Sequence, residues 1–225
     1  MSFGSIYGNV ANLLAIDVSA GPNPKPKDLG GQTMQVWDPR FEDPNQSWSF
    51  APVPDWVSNL LGSDGGPLSG GFGGFSGYFF IESALKAEYE DGSPRTMVVD
   101  VSGYEPYLGS ITNPGARLEL HTKKSLIETE PQNVIYALNQ IFCLSIGSVL
   151  SGDTQFYQIL STIGWQDAAD DQPVGLALSV ENYGSQRGSH LQLALPEYLP
   201  LASPLDTYSE TLACQTWNIG AGVIG

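Results

Sequence analysis

A chain of 225 residues with 41% hydrophobic content is long enough to bury one sizeable core, and its length suits a single all-β domain. Its 24 acids against nine bases give a formal net charge of −15 at pH 7, a surface that repels phosphate backbones and argues against a nucleic-acid partner. No apolar run approaches membrane-spanning length, so membrane insertion is not expected, and the first residues lack a basic stretch followed by an apolar one. The expectation is a cytoplasmic protein, with non-classical secretion as the other route.

The predicted elements open with a strand-like run, Ile6-Tyr7-Gly8-Asn9-Val10, followed by Ala15-Ile16-Asp17-Val18. Residues 21–27 are too proline-rich for a central strand and read as an exposed loop. Two further strands follow, Met34-Gln35-Val36-Trp37 and Asn45-Gln46-Ser47-Trp48-Ser49-Phe50. Residues 51–76, with their glycine clusters, read as a long connection; neither the helix nor the lysine of a phosphate-cradling loop comes after them.

The four runs then return in the same order. Tyr78-Phe79-Phe80-Ile81-Glu82-Ser83, Val98-Val99-Asp100-Val101, Leu118-Glu119-Leu120-His121 and Asn139-Gln140-Ile141-Phe142-Cys143-Leu144 form the second set. An insertion at 125–139 carries a short helix opened by Pro131. The third set is Phe156-Tyr157-Gln158-Ile159-Leu160-Ser161, Ala177-Leu178-Ser179-Val180, Leu191-Gln192-Leu193-Ala194 and Cys214-Gln215-Thr216-Trp217-Asn218-Ile219. Residues 165–171 carry three acids without calcium-loop spacing and read as a solvated loop.

Three repeats, at about 1–76, 77–152 and 153–225, predict twelve short strands in one domain. A single repeat cannot bury its own apolar face, and a closed barrel removes exposed sheet edges, so the fold expected is a β-trefoil. Trp48, Phe142 and Trp217 are its inward-facing aromatics, with Phe50, Leu144 and Ile219 two residues on, as strand alternation requires. Cys143 and Cys214 lie among core residues and read as buried thiols. Two cysteines and the distant His121 and His190 offer no metal-ligand spacing, and no cofactor is implied.

Asn45-Gln46-Ser47-Trp48, with Gln35-Val36-Trp37 and Ile16-Asp17-Val18, resembles the repeat of the ricin-B-type lectins over essentially the whole chain. The resemblance implies a non-catalytic, carbohydrate-binding protein for glycans or glycoproteins, galactose or N-acetylgalactosamine being the usual ligand class. In the first repeat it implies that Asp17 accepts from two sugar hydroxyls, Asn45 bridges to one of them and Trp37 stacks on the ring, with Gln35 and Gln46 in support. In the second repeat Asp100, Asn139 and Gln140 are kept and His121 stands where Trp37 does, across an insertion expected to shield or remodel the pocket, so the first site ranks higher. The third repeat has Ser179, Ala194 and Cys214 at these positions and is expected to be structural. Individual sites should be weak, with two sites or a homodimer supplying avidity. Two other functions fit the same fold: a protease inhibitor acting through an exposed loop at 21–31 or 51–76, and a receptor-binding component of a toxin or scaffold.

Overall fold

The computed structural model describes residues 3–8, 14–21, 29–61, 75–105, 113–151, 154–165, 174–181, 186–197, 203–204 and 210–219. The strands of the first repeat are β1 (Ile6–Gly8), β2 (Ala15–Val18), β3 (Gln32–Trp37) and β4 (Trp48–Pro52). Those of the second are β5 (Phe75–Glu88), β6 (Pro94–Val101), β7 (Leu118–Thr122) and β8 (Ile141–Ser151). The third supplies β9 (Thr154–Trp165), β10 (Val174–Val180), β11 (Leu191–Ala194) and β13 (Trp217–Ile219), with β12 (Ser203–Pro204) as an added two-residue strand on the edge of β8. All twelve expected strands are present.

Six of them close a barrel. β1 pairs β13, β13 pairs β9, β9 pairs β8, β8 pairs β5 and β5 pairs β4, all antiparallel, and a Gly4–Trp48 bridge returns to the start. The other six form three hairpins, β2–β3, β6–β7 and β10–β11, that meet through β3–β7 pairing and through bridges joining Gln35 to His190 and Arg117 to Gln192. The architecture is a β-trefoil, with each repeat contributing two barrel strands and one hairpin.

Register confirms the equivalences read from the repeat. Asp17 faces Gln35, Asp100 faces Glu119 and Ser179 faces Gln192 across their hairpins. Two positions on, a period-2 step that keeps side chains on the same face, Trp37, His121 and Ala194 face Ala15, Val98 and Ala177. Trp48, Phe142 and Trp217 are fully buried in one core cluster. Indoles need a partner for N–H when buried; Trp48 donates to Ile16 O at 3.1 Å and Trp217 to Leu178 O at 3.0 Å, each reaching the residue before its repeat's acid position.

One further threefold feature holds the hairpins together. Gly31, Gly115 and Gly188 have φ of +77°, +92° and +82°, a backbone region that side chains strain to enter. From there each amide donates to the next hairpin, to Leu120 O, Leu193 O and Val36 O at 2.9, 2.7 and 2.9 Å.

Two helices depart from the sequence expectation. The connection at 51–76 begins with the end of β4 and then α1 (Asp55–Leu61), in which Asp55 complements the helix dipole, Val57 is buried and Trp56 and Leu61 pack on the core. α2 (Glu210–Cys214) precedes the last Gln-x-Trp segment. The expected helix at Pro131 forms as a 3-10 helix, Pro131–Gln140, burying Val134, Ala137 and Leu138. Both cysteines are buried. The expected loops at 22–28, 62–74 and 166–173 lie outside the described residues.

Candidate functional site

The glutamine of each Gln-x-aromatic segment is a buried brace. Gln46, Gln140 and Gln215 are fully inaccessible. Each accepts from the backbone N–H of residue 40, 124 or 197, at 2.7, 2.8 and 2.9 Å, and donates to the carbonyl two residues earlier, that of Asp38, Thr122 or Leu195, at 2.9, 3.0 and 2.8 Å. This pins the segment after the middle strand over the acid position. In the first two repeats the same amide also donates to the acid, to Asp17 Oδ1 at 3.3 Å and Asp100 Oδ2 at 2.8 Å. Gln46 and Gln140 therefore orient the carboxylate from beneath instead of facing a ligand.

In the first repeat the chain satisfies Asp17 itself. Arg40 Nη2 lies 2.5 Å from Asp17 Oδ1, and Gln35 Nε2 donates to Oδ2 at 2.8 Å. Arg40 also holds Asp43 at 2.9 Å, so its guanidinium is clamped between two carboxylates. Asp17 is left 2% exposed. Burial raises its pKa, opposed by the Gln35 hydrogen bond, the Arg40 charge and the Gln46 hydrogen bond. Asn45 does not reach the acid: its Nδ2 donates to Gly21 O at 2.8 Å, and its buried Oδ1 has no partner among the described residues. Trp37 is half-buried, with Gly188 of the third repeat packed near its ring and the Arg187–Asp38 ion pair, 2.6 Å, alongside.

In the second repeat the same positions surround a cleft of about 500 Å³. Asn139 Nδ2 donates to Asp100 Oδ1 at 2.8 Å and Gln140 holds Oδ2, so acid and amide are joined across the insertion expected to separate them. Lys124 Nζ donates to Asn139 Oδ1 at 2.6 Å and sits 3.8 Å from Asp100 Oδ2. His121, 43% exposed in its side chain, stands 3.2 Å from Glu119. Tyr104 forms the far wall, its hydroxyl donating to Ile135 O of the 3-10 helix at 2.9 Å. Desolvation raises the pKa of Asp100, opposed by Gln140, Lys124 and His121, and lowers that of Lys124, opposed by Asp100. Burial pushes the Tyr104 phenol up to about 12, so it stays a neutral hydroxyl.

Arg40, Lys124 and Tyr104 were missed by sequence reasoning. A signal existed for the first two: Arg40 and Lys124 both lie three residues beyond the middle-strand aromatic, where the third repeat has Glu197. What the sequence could not show is that Arg40 closes directly onto Asp17, whereas Lys124 goes to Asn139 and stands 3.8 Å from Asp100, which is 6% exposed and lines the cleft. Ser179, Ala194 and Cys214 leave the third repeat without the acid, ring and amide, although its Gln215 brace is intact.

No protein-family model matches this chain, and no curated protein matches it. Among solved structures it is similar to the designed threefold-symmetric protein ThreeFoil, with a TM-score of 0.51, 15% identity and 96% of each chain covered. It is also similar to 1,3Gal43A, an exo-β-1,3-galactanase from Clostridium thermocellum, with a TM-score of 0.51 and 15% identity over 97% of this chain and 30% of that one. Likeness at this identity bears on the fold, and over nearly the full chain it supports the β-trefoil.

Proposed function

We propose that this protein binds carbohydrate without catalysis, as a lectin of ricin-B type, and that the second repeat carries its principal site. The observation that supports this is the cleft in which Asp100, Asn139, Lys124 and His121 converge. A sugar needs a fixed acceptor for vicinal hydroxyls, a donor beside it and a flat face for its C–H patch. Asp100 is the acceptor, braced by Asn139 and Gln140. Lys124 is the donor and His121 the flat face. The first repeat, ranked higher by the resemblance, is the lesser site in this reading because Arg40 occupies its acid. Galactose or N-acetylgalactosamine is the ligand class proposed, as the resemblance of the repeat implies.

A glycan array run with wild type, Asp100→Asn and Asp17→Asn tests the proposal. Binding should be lost in the Asp100 variant and kept in the Asp17 variant. Absence of binding to any glycan at high protein concentration would overturn it.

A further inference from the structure

A second cleft, of about 480 Å³, adjoins the first and shares Thr122 and Lys124 with it. It opens between the end of β4, the β5–β6 hairpin and the segment following β7. In a chain with only nine bases, three of them, Arg95, Lys123 and Lys124, line this one cleft, and no acid lines it among the described residues. From these observations we infer that the second cleft is a subsite for an anionic sugar, one bearing a carboxylate or a sulfate ester, linked to the residue held in the Asp100 cleft. The inference rests on the carbohydrate-binding reading and specifies its ligand.

The bases are held in place. Arg95 stacks its guanidinium on the Tyr89 ring, 3.7 Å from the centroid, and its buried Nε has no hydrogen-bond partner among the described residues. Lys123 lies over the Phe80 ring at 4.3 Å and pairs with buried Glu82 at 2.7 Å, while its backbone N–H donates to Thr96 O and ties the segment to β6. Nearby charge of opposite sign comes from Glu82, already paired with Lys123, from Asp100, 3.8 Å from Lys124, and from Asp91, whose carboxylate accepts from Ser93 at the hairpin turn. Arg95 thus brings a partly buried guanidinium held flat on Tyr89, a planar cation of the kind that carboxylates and sulfates pair with. Tyr89, 44% exposed, supplies aromatic surface below it. An oligosaccharide seated on Asp100 would pass Lys124 on its way into this cleft.

The test compares lactose, 3′-sialyllactose and 3′-sulfolactose by calorimetric titration at low and high salt, with wild type, Arg95→Gln and Asp100→Asn. One or both acidic sugars should bind at least about tenfold tighter than lactose, the range of one charge-assisted hydrogen bond. The preference should shrink at high salt and vanish in Arg95→Gln, with lactose binding retained as the sign of an intact fold. The two acidic probes separate carboxylate from sulfate. Equal affinity for neutral and acidic sugars, or a preference that survives Arg95→Gln, would overturn the inference and leave the lectin reading standing. Failure of all three probes with a positive glycan array would likewise overturn it, and failure of probes and array together would remove both.

Discussion

The first and second repeats place an aspartate at the same register position above the same buried glutamine, yet the two carboxylates meet different neighbours. Asp17 faces a neutral Gln35 that donates to it and a nearby Arg40 that closes on it. Asp100 faces Glu119, which turns to His121, and its own base, Lys124, is drawn aside by Asn139. A planar fork can grip two carboxylates at once, and Asp43 gives Arg40 its second; a lysine point charge is more easily diverted. Near-identical scaffolds thus yield two buried, hydrogen-bonded acids, one gripped directly by a base and one that lines a cleft.

The largest expected effect tests what the repeats share. Trp48→Ala and Trp217→Ala should each lower unfolding free energy by about 3–5 kcal/mol in chemical denaturation. If one substitution costs far less than the other, the repeats do not bear equally on the core. Asp100→Asn should weaken glycan binding by about 100-fold, the loss of roughly two hydrogen bonds to a charged acceptor, while Asp17→Asn changes it by less than about twofold; comparable losses at both would erase the distinction.

Arg40→Ala sharpens the comparison further. Because Arg40 is about one-third exposed, its removal should cost only about 1–2 kcal/mol of stability. It should also uncover Asp17, so that calorimetric stoichiometry rises from about one sugar per chain toward two. An unchanged stoichiometry would show that Asn45, engaged by Gly21, disables the first site without help from Arg40.

The pH dependence has two opposite limbs. Burial raises the pKa of Asp100 above the ordinary 3.8. Its contribution to stability is therefore fully present below 3.8 and lost as pH rises through the raised value. Sugar binding needs the ionised acid and should strengthen across that same window. Titrating affinity in wild type, and comparing the stability profiles of wild type and Asp100→Asn, checks both signs. Smallest of all, His121→Trp should tighten binding by a few-fold through a larger stacking face, measurable by competition with free sugar.

Much of the fold is legible in the repeat itself. Apolar alternation at Met34-Val36, Leu118-Leu120 and Leu191-Leu193 locates the middle strands, and Gln-x-aromatic locates the inward rings. The positive-φ glycines at 31, 115 and 188 are just as regular in sequence but give no distinct signal, since a glycine before a strand looks like ordinary turn punctuation. α1 is hidden for a different reason: seven residues flanked by prolines and glycines give too little periodicity to distinguish a helix from a loop. In the candidate site, the pattern identifies Asp100, His121 and Asn139, while the base beside them escapes it.

Sequence alone determined the threefold plan, because apolar periodicity and the aromatic anchors are local properties of each copy. It also determined that the third repeat lacks the polar set, because substitution at Ser179, Ala194 and Cys214 removes functional groups outright. Only the tertiary structure decided between the first two repeats. Whether a carboxylate is gripped by a base depends on how closely a side chain from 23 or 24 residues away approaches it, and the difference between Arg40 on Asp17 and Lys124 beside Asp100 is settled by packing and charge geometry that no residue pattern encodes.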